Sequence, residues 1–147
     1  MFKKILVPID GSDASLQALK AAARMAEKFG SEVMLFHVMQ LPSPIEMFET
    51  YSGKLGEIYY QIKDRIEKYG RKVLESGLKQ CEGFQVTFKE KAAWGEPASE
   101  IIQEADGGGY DLIVIGSRGR DDVEEWLLGS ISQRVVRRAK CPVLVIR

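Results

Sequence analysis

The sequence predicts an α/β domain, a three-layer αβα sandwich around a five-stranded parallel sheet. Three observations carry this. Short apolar runs (ILV at 5–7, EVMLFHVM at 32–39, YDLIVI at 110–115, CPVLVI at 141–146) are bounded by Gly, Pro or polar residues, the pattern of strands buried on both faces. Between them lie segments whose apolar residues step by three or four, the period of a helix with one buried face. Strand and helix alternate along the chain, which implies right-handed crossovers with helices on both faces of one sheet. A length of 147 residues fits a single domain, 1–147, with a real core.

The first strand runs from Lys3 to Ile9 and is closed by Pro8 and Asp10-Gly11-Ser12-Asp13. Ser12 or Asp13 can cap the next element, since either side chain accepts from an orphan amide of a helix's first turn. Leu16, Leu19, Ala23 and Ala26, widened by Ala22 and Met25, then mark a helix that Gly30 is placed to end. Glu32 to Met39 is the second strand. Pro42, Ser43, Pro44, Ser52 and Gly53 break the pattern from Gln40 to Gly56, and a loop of that length tends to be functional or mobile. Tyr59, Ile62, Ile66, Tyr69 and Val73 predict one long helix to about Gln80. Gln85 to Glu90 alternates Val86 and Phe88 with polar neighbours, an edge-like strand. Pro97 suits the first turn of a helix, where its missing N–H costs nothing; Ala98, Ile101, Ile102 and Ala105 form its core face, and Gly107-Gly108-Gly109 stops it. Tyr110 to Ile115 is the fourth strand, Gly116 to Leu128 a glycine-bounded segment, Ser130 to Ala139 a helix and Cys141 to Ile146 the last strand.

Composition narrows the function. The 21 basic and 21 acidic residues cancel, without the electropositive surplus of a dedicated nucleic-acid binder. No apolar run approaches the roughly 18 residues of a membrane span, so no membrane insertion is expected. The opening MFKKILVPID has too short an apolar stretch for a signal peptide. Cys81 and Cys141 form no CxxC pair; a reducing, cytoplasmic setting and ordinary buried or half-buried thiols are expected.

In open α/β sheets ligands sit beyond the C-terminal strand ends, where the strand order reverses. That rule selects Ile9 to Asp13, His37 to Gln40 and the glycine segment after the fourth strand. Gly116 leaves the backbone open to a ligand, and Gly119 supports a turn. Gly129 and Ser130 open a helix whose amides and dipole favour an anion, and Ser130 and Ser132 add hydroxyls. Together these suit a polyphosphate; the plainer alternative is that the glycines turn the chain and Ser130 caps a helix. Asp10, at a strand end, can accept two ribose hydroxyls, or simply stabilise the turn.

The spacing Gly116-x2-Gly119-x9-Gly129-Ser130, in register with KKILVPIDGSDAS, LFHVM, WGEPASEII, YDLIVIGSRG and LLGSISQRVVRRAKCPVLVI, resembles the ATP-binding universal stress proteins over essentially the whole chain. The resemblance implies an adenine nucleotide alpha hydrolase-like fold with strand order 3-2-1-4-5. It implies that Asp10 meets the ribose side of the nucleotide, that Val38 backbone groups meet adenine, and that Pro8 and Ile9 shape the pocket floor. Ile115 and Gly116 would line the pocket, with Gly119, Gly129, Ser130, Ile131 and Ser132 around the phosphates. The expected ligand is ATP, or AMP or ADP, with Mg²⁺ or Mn²⁺ on the phosphates. The resemblance also implies a homodimer through the last strand, Pro142 to Arg147, and contact with an unidentified protein partner governed by nucleotide occupancy or by the loop from Gln40 to Gly56.

One departure stands out. Asp121, Asp122, Glu124 and Glu125 make the stretch between Gly119 and Gly129 acidic, partly offset by Arg120 and by Arg118, which is itself expected among the nucleotide-binding residues. These acids either lie on a solvated outer face, or Asp121 and Asp122 flank a phosphate-bridged Mg²⁺. His37, the single histidine, is read as a pocket-rim residue, and Trp94 and Trp126 as packing residues. Arg134, Arg137, Arg138 and Lys140 complement a helix C-terminus.

The leading reading is a dimeric nucleotide-dependent switch in stress-response regulation. With no general base identifiable at a phosphate, hydrolysis would be slow at most. The alternatives are a nucleotide-independent dimeric interaction module, an adenylating enzyme and a phosphoacceptor receiver domain. Asp10 to Ser15 loosely echoes the loop of the adenylating enzymes, and the receiver would need an acceptor where Glu90 stands. A P-loop enzyme is excluded, since there is no GxxxxGK[ST].

Overall fold

The computed structural model describes residues 1–44, 55–118 and 128–147. They form β1 (Lys4–Pro8), α1 (Asp13–Phe29), β2 (Glu32–Met39), α2 (Leu55–Gln80), β3 (Thr87–Trp94), α3 (Pro97–Gly107), β4 (Leu112–Gly116), α4 (Ser130–Arg138) and β5 (Val143–Ile146). All pairings in the sheet are parallel, and the order is β3-β2-β1-β4-β5. Strand alternation divides the core in two. Ile5, Val7, Val33 and Leu35 face α1 and α2 with Leu19, Val73 and Leu74. Leu6, Phe36, Ile113 and Ile115 face the other way, against Ile101 of α3 and Val135 of α4.

The helix boundaries follow local chemistry. Ser12 Oγ accepts from Ser15 N at 3.1 Å at the start of α1, and Gly30 closes it with φ +70°. Pro97 opens α3, capped by Glu96, whose carboxylate accepts from Ala98 N (3.3 Å) and Ser99 N (2.9 Å). Arg134 of α4 donates to the same carboxylate at 2.6 Å, linking the starts of the two helices. Burial pushes the Glu96 carboxyl up, but the bonds from Ser99, Ala98 and Arg134 outweigh it and hold the group below the usual range. The stability this contributes is present at neutral pH and is lost as pH falls through the lowered value.

Several boundaries shift by one or two residues from the sequence expectation, and two of the differences bear on the reading. α2 begins at Leu55, so Leu55 and Gly56 are helical rather than part of the loop; the apolar period read from the sequence starts only at Tyr59. β3 does not stop at Glu90 but pairs with β2 over eight positions, from Thr87 opposite Glu32 to Trp94 opposite Met39. As an edge strand it keeps charges in solvent, with Lys91 paired to Glu104 at 2.7 Å, which hides the alternation. Glu90 therefore lies within the strand, opposite Leu35, and a receiver-type acceptor position is not formed there. Among the described residues no helix is long and apolar enough to cross a membrane.

Cys81 is buried at the end of α2 and Cys141 is half-buried. Burial raises the Cys81 thiol to about 11, against a small opposing pull from Lys20, and burial also raises Cys141. Any contribution of Cys81 to stability is thus full below pH ~9 and is lost as pH rises to about 11. Iodoacetamide at pH 8 should leave Cys81 unmodified in the native protein and alkylate it in urea; rapid native labelling would show that the end of α2 is open.

Candidate functional site

β1 pairs with β2 on one side and β4 on the other, so the strand order reverses at its C-terminal end, where an open α/β sheet leaves a crevice. A cleft enclosing about 580 Å³, part of it open to solvent, occupies this position. Pro8, Ile9 and Asp10 line it from the end of β1, and Ile115 and Gly116 from the end of β4. Val38, Arg118, Ile131 and Ser132 are the other expected residues on its walls.

The turn after β1 is held from several sides. Asp10 Oδ1 accepts from Ser12 N at 2.9 Å. Ser15 Oγ accepts from Asp10 N at 3.3 Å and donates to Ser12 O at 3.0 Å. Gly11 has φ +87°, a conformation that favours glycine. A carboxylate can accept about four hydrogen bonds, so the bond from Ser12 is compatible with further acceptance from a sugar. Val38 owes its position to register. Ile9 N donates to Phe36 O at 2.8 Å, and Val38, two residues on, presents its backbone to the same edge of β2, beyond the end of β1.

At the opposite rim α4 starts with Gly129 as N-cap, without a side-chain bond. Gly129 N donates to Ser117 O at 2.7 Å. The amides of Ser130, Ile131 and Ser132 occupy the first turn, which has no acceptor within the helix. Gly129 is buried and Ser130 exposed, and neither lines the cleft wall. The buried Ser132 hydroxyl shares its proton between Ser117 O (2.9 Å) and Gly129 O (3.0 Å), which ties β4 to α4. Gly116 also has a packing reason: a Cβ there would stand 2.8 Å from Ala14 C and 2.9 Å from Ala14 O, so glycine lets the first turn of α1 seat against β4. Ser117 Oγ is buried and has no hydrogen-bond partner among the described residues, one residue from both Gly116 and Arg118. Gly119, Arg120, Asp121, Asp122 and Trp126 lie outside the described residues, and among the described ones no cluster of His, Cys, Asp or Glu could hold a metal ion.

His37 lines the cleft, as expected of a rim residue, but is buried. Its Nδ1–H donates to Ile9 O at 2.8 Å, which sets the tautomer. Four further lining residues were not legible as such: Ser15, Phe36, Pro97 and Ile101. The Ser12–Ser15 spacing was the one available signal for the first; the others read as core residues or a helix start.

A doubly wound α/β sheet with a mostly apolar cleft at its switch point, rimmed by a strand-end carboxylate and a helix N-terminus, defines a small-ligand-binding class of α/β domain. Within that class the chain belongs to the universal stress protein family, which residues 1–147 match. It is 38% identical to universal stress protein YxiE of Bacillus subtilis, over 100% of both chains. Its fold is similar to the solved structure of MJ0577, a universal stress protein of Methanocaldococcus jannaschii, with TM-score 0.81, 30% identity and coverage of 99% of this chain and 96% of that one. A universal stress protein from Archaeoglobus fulgidus, solved in complex with dAMP, shares the fold at TM-score 0.69 and 21% identity, covering 100% and 98% of the two chains.

Proposed function

We propose that this protein binds an adenine nucleotide in the cleft and acts as a dimeric nucleotide-dependent switch in the cytoplasmic stress response. The observation that carries the reading is convergence: the ends of β1, β2 and β4 and the start of α4 bring nine expected residues onto one cleft.

In this reading adenine lies between the Val38 edge and the apolar side chains of Ile101 and Ile131. Asp10 accepts from the ribose hydroxyls. Arg118 and the amides of Ser130, Ile131 and Ser132 receive the phosphates, and the buried Ser117 hydroxyl next to them gains a partner. Mg²⁺ or Mn²⁺ bound with the phosphates would offset their negative charge. The dAMP bound by the A. fulgidus relative supports an adenylate as the ligand class. β5 lies at the sheet edge with Leu144 exposed, which supports pairing of two copies through β5. Contact with a further protein partner would then depend on occupancy.

Calorimetric titration of nucleotide-stripped protein with ATP, with and without Mg²⁺, and with AMP and GTP tests this. Micromolar adenylate binding, with GTP weaker, is expected. Asp10→Ala should weaken it about tenfold to a hundredfold, the range for losing charge-assisted hydrogen bonds. Absence of binding by any nucleotide would overturn the proposal and leave a nucleotide-independent dimeric module.

A further inference from the structure

The turn that carries Asp10 is gripped from outside its own segment. Tyr69, in the middle of α2, donates its hydroxyl to Asp10 O at 2.9 Å. His37 of β2 donates to Ile9 O, the preceding carbonyl, at 2.8 Å. The two rings meet edge to face with centroids 6.1 Å apart, so the two donors brace each other as they hold consecutive peptide units. Two glycines make room for them. A Cβ on Gly11 would lie 2.5 Å from Tyr69 Oη, and one on Gly70 would lie 3.0 Å from His37 Cδ2. Neither side chain is needed to start α1, because Ser12 and Ser15 already cap it.

We infer that Tyr69 is a positioning residue for sugar recognition: its hydroxyl fixes the Asp10 peptide, and through it the direction in which the Asp10 carboxylate meets the ribose. The inference deepens the nucleotide reading above and rests on it. Without the phenol, the peptide after Asp10 loses its outside anchor and samples more arrangements. Binding then has to select the competent one, and apparent affinity falls by the fraction of molecules that hold it.

The test is a cycle between protein and ligand. AMP and 2′,3′-dideoxy-AMP are titrated into the wild-type protein, Tyr69→Phe and His37→Phe, with thermal unfolding of each variant alongside. Tyr69→Phe should weaken AMP about five- to tenfold, the scale of one hydrogen bond, and should change dideoxy-AMP less than about twofold, since that ligand offers no hydroxyl to Asp10. Equal weakening of both ligands, or no weakening of AMP, would overturn the positioning role; so would AMP weakening in proportion to lost thermal stability across the two variants. Failure of the wild-type protein to bind either ligand would instead strike the nucleotide reading itself, and this inference with it.

Discussion

Gly116→Ala is expected to cost about 2–3 kcal/mol of stability, the upper part of the range for overpacking, although it adds a single methyl group. The new Cβ would meet the backbone of Ala14 at 2.8 and 2.9 Å and the Ala14 Cβ at 3.1 Å. Backbone atoms of a capped first turn cannot swing aside as a side-chain terminus can, so α1 must shift off β4 or the strand must bend. Urea unfolding monitored by circular dichroism would measure the loss. Adenylate affinity should fall in the same variant, because Asp10, Ser12 and Ser15 travel with that turn. The two consequences separate the two readings of this glycine. Lost binding with unchanged stability would mean that the residue keeps a path open for the ligand; lost stability means that it seats the helix.

Phe36→Ala should be costlier still, about 3–5 kcal/mol, a large share of the 5–15 kcal/mol that holds a domain of this kind together. The ring is only 1% exposed, packs with Leu6, Ile101 and Ile113 in the core under α3 and α4, and also lines the cleft. Differential scanning calorimetry should place the midpoint roughly 10–20 °C lower, at about 3–4 °C per kcal/mol for this size. Phe36→Leu, which refills most of the space, should recover most of that. A small loss in Phe36→Ala would show that α3 collapses onto β2, and the cleft should then shrink and adenylate binding disappear even in the folded variant.

Most of the architecture was legible before the structure because it is encoded locally. Buried parallel strands leave continuous apolar runs, and helices leave a period of three or four. Ser12, Gly30 and Pro97 mark boundaries through bonds made within a few residues. β2 is a clear case, read and observed over the same residues, Glu32 to Met39. β3 is the counter-case. Its second half, Lys91 to Trp94, pairs fully with β2, yet an edge strand needs no apolar alternation when Lys91 can reach Glu104 across the surface.

The site divides along the same line. Glycine spacing, a strand-end aspartate and a helix start are local features, and the family resemblance placed eight of the residues that line the cleft, with Arg118 expected beside them. The reasons behind two of those residues were not local. Gly116 is small because Ala14, far earlier in the chain, lies against it, and the Ser132 hydroxyl is spent on the carbonyls of Ser117 and Gly129. Tyr69 looked like one apolar step of an amphipathic helix until α2 set its hydroxyl on Asp10 O. Period, caps and turns depend on neighbours along the chain, so a sequence carries them openly. Which carbonyl a hydroxyl satisfies, and which backbone a missing Cβ admits, depends on segments that meet only when the sheet and its helices have packed.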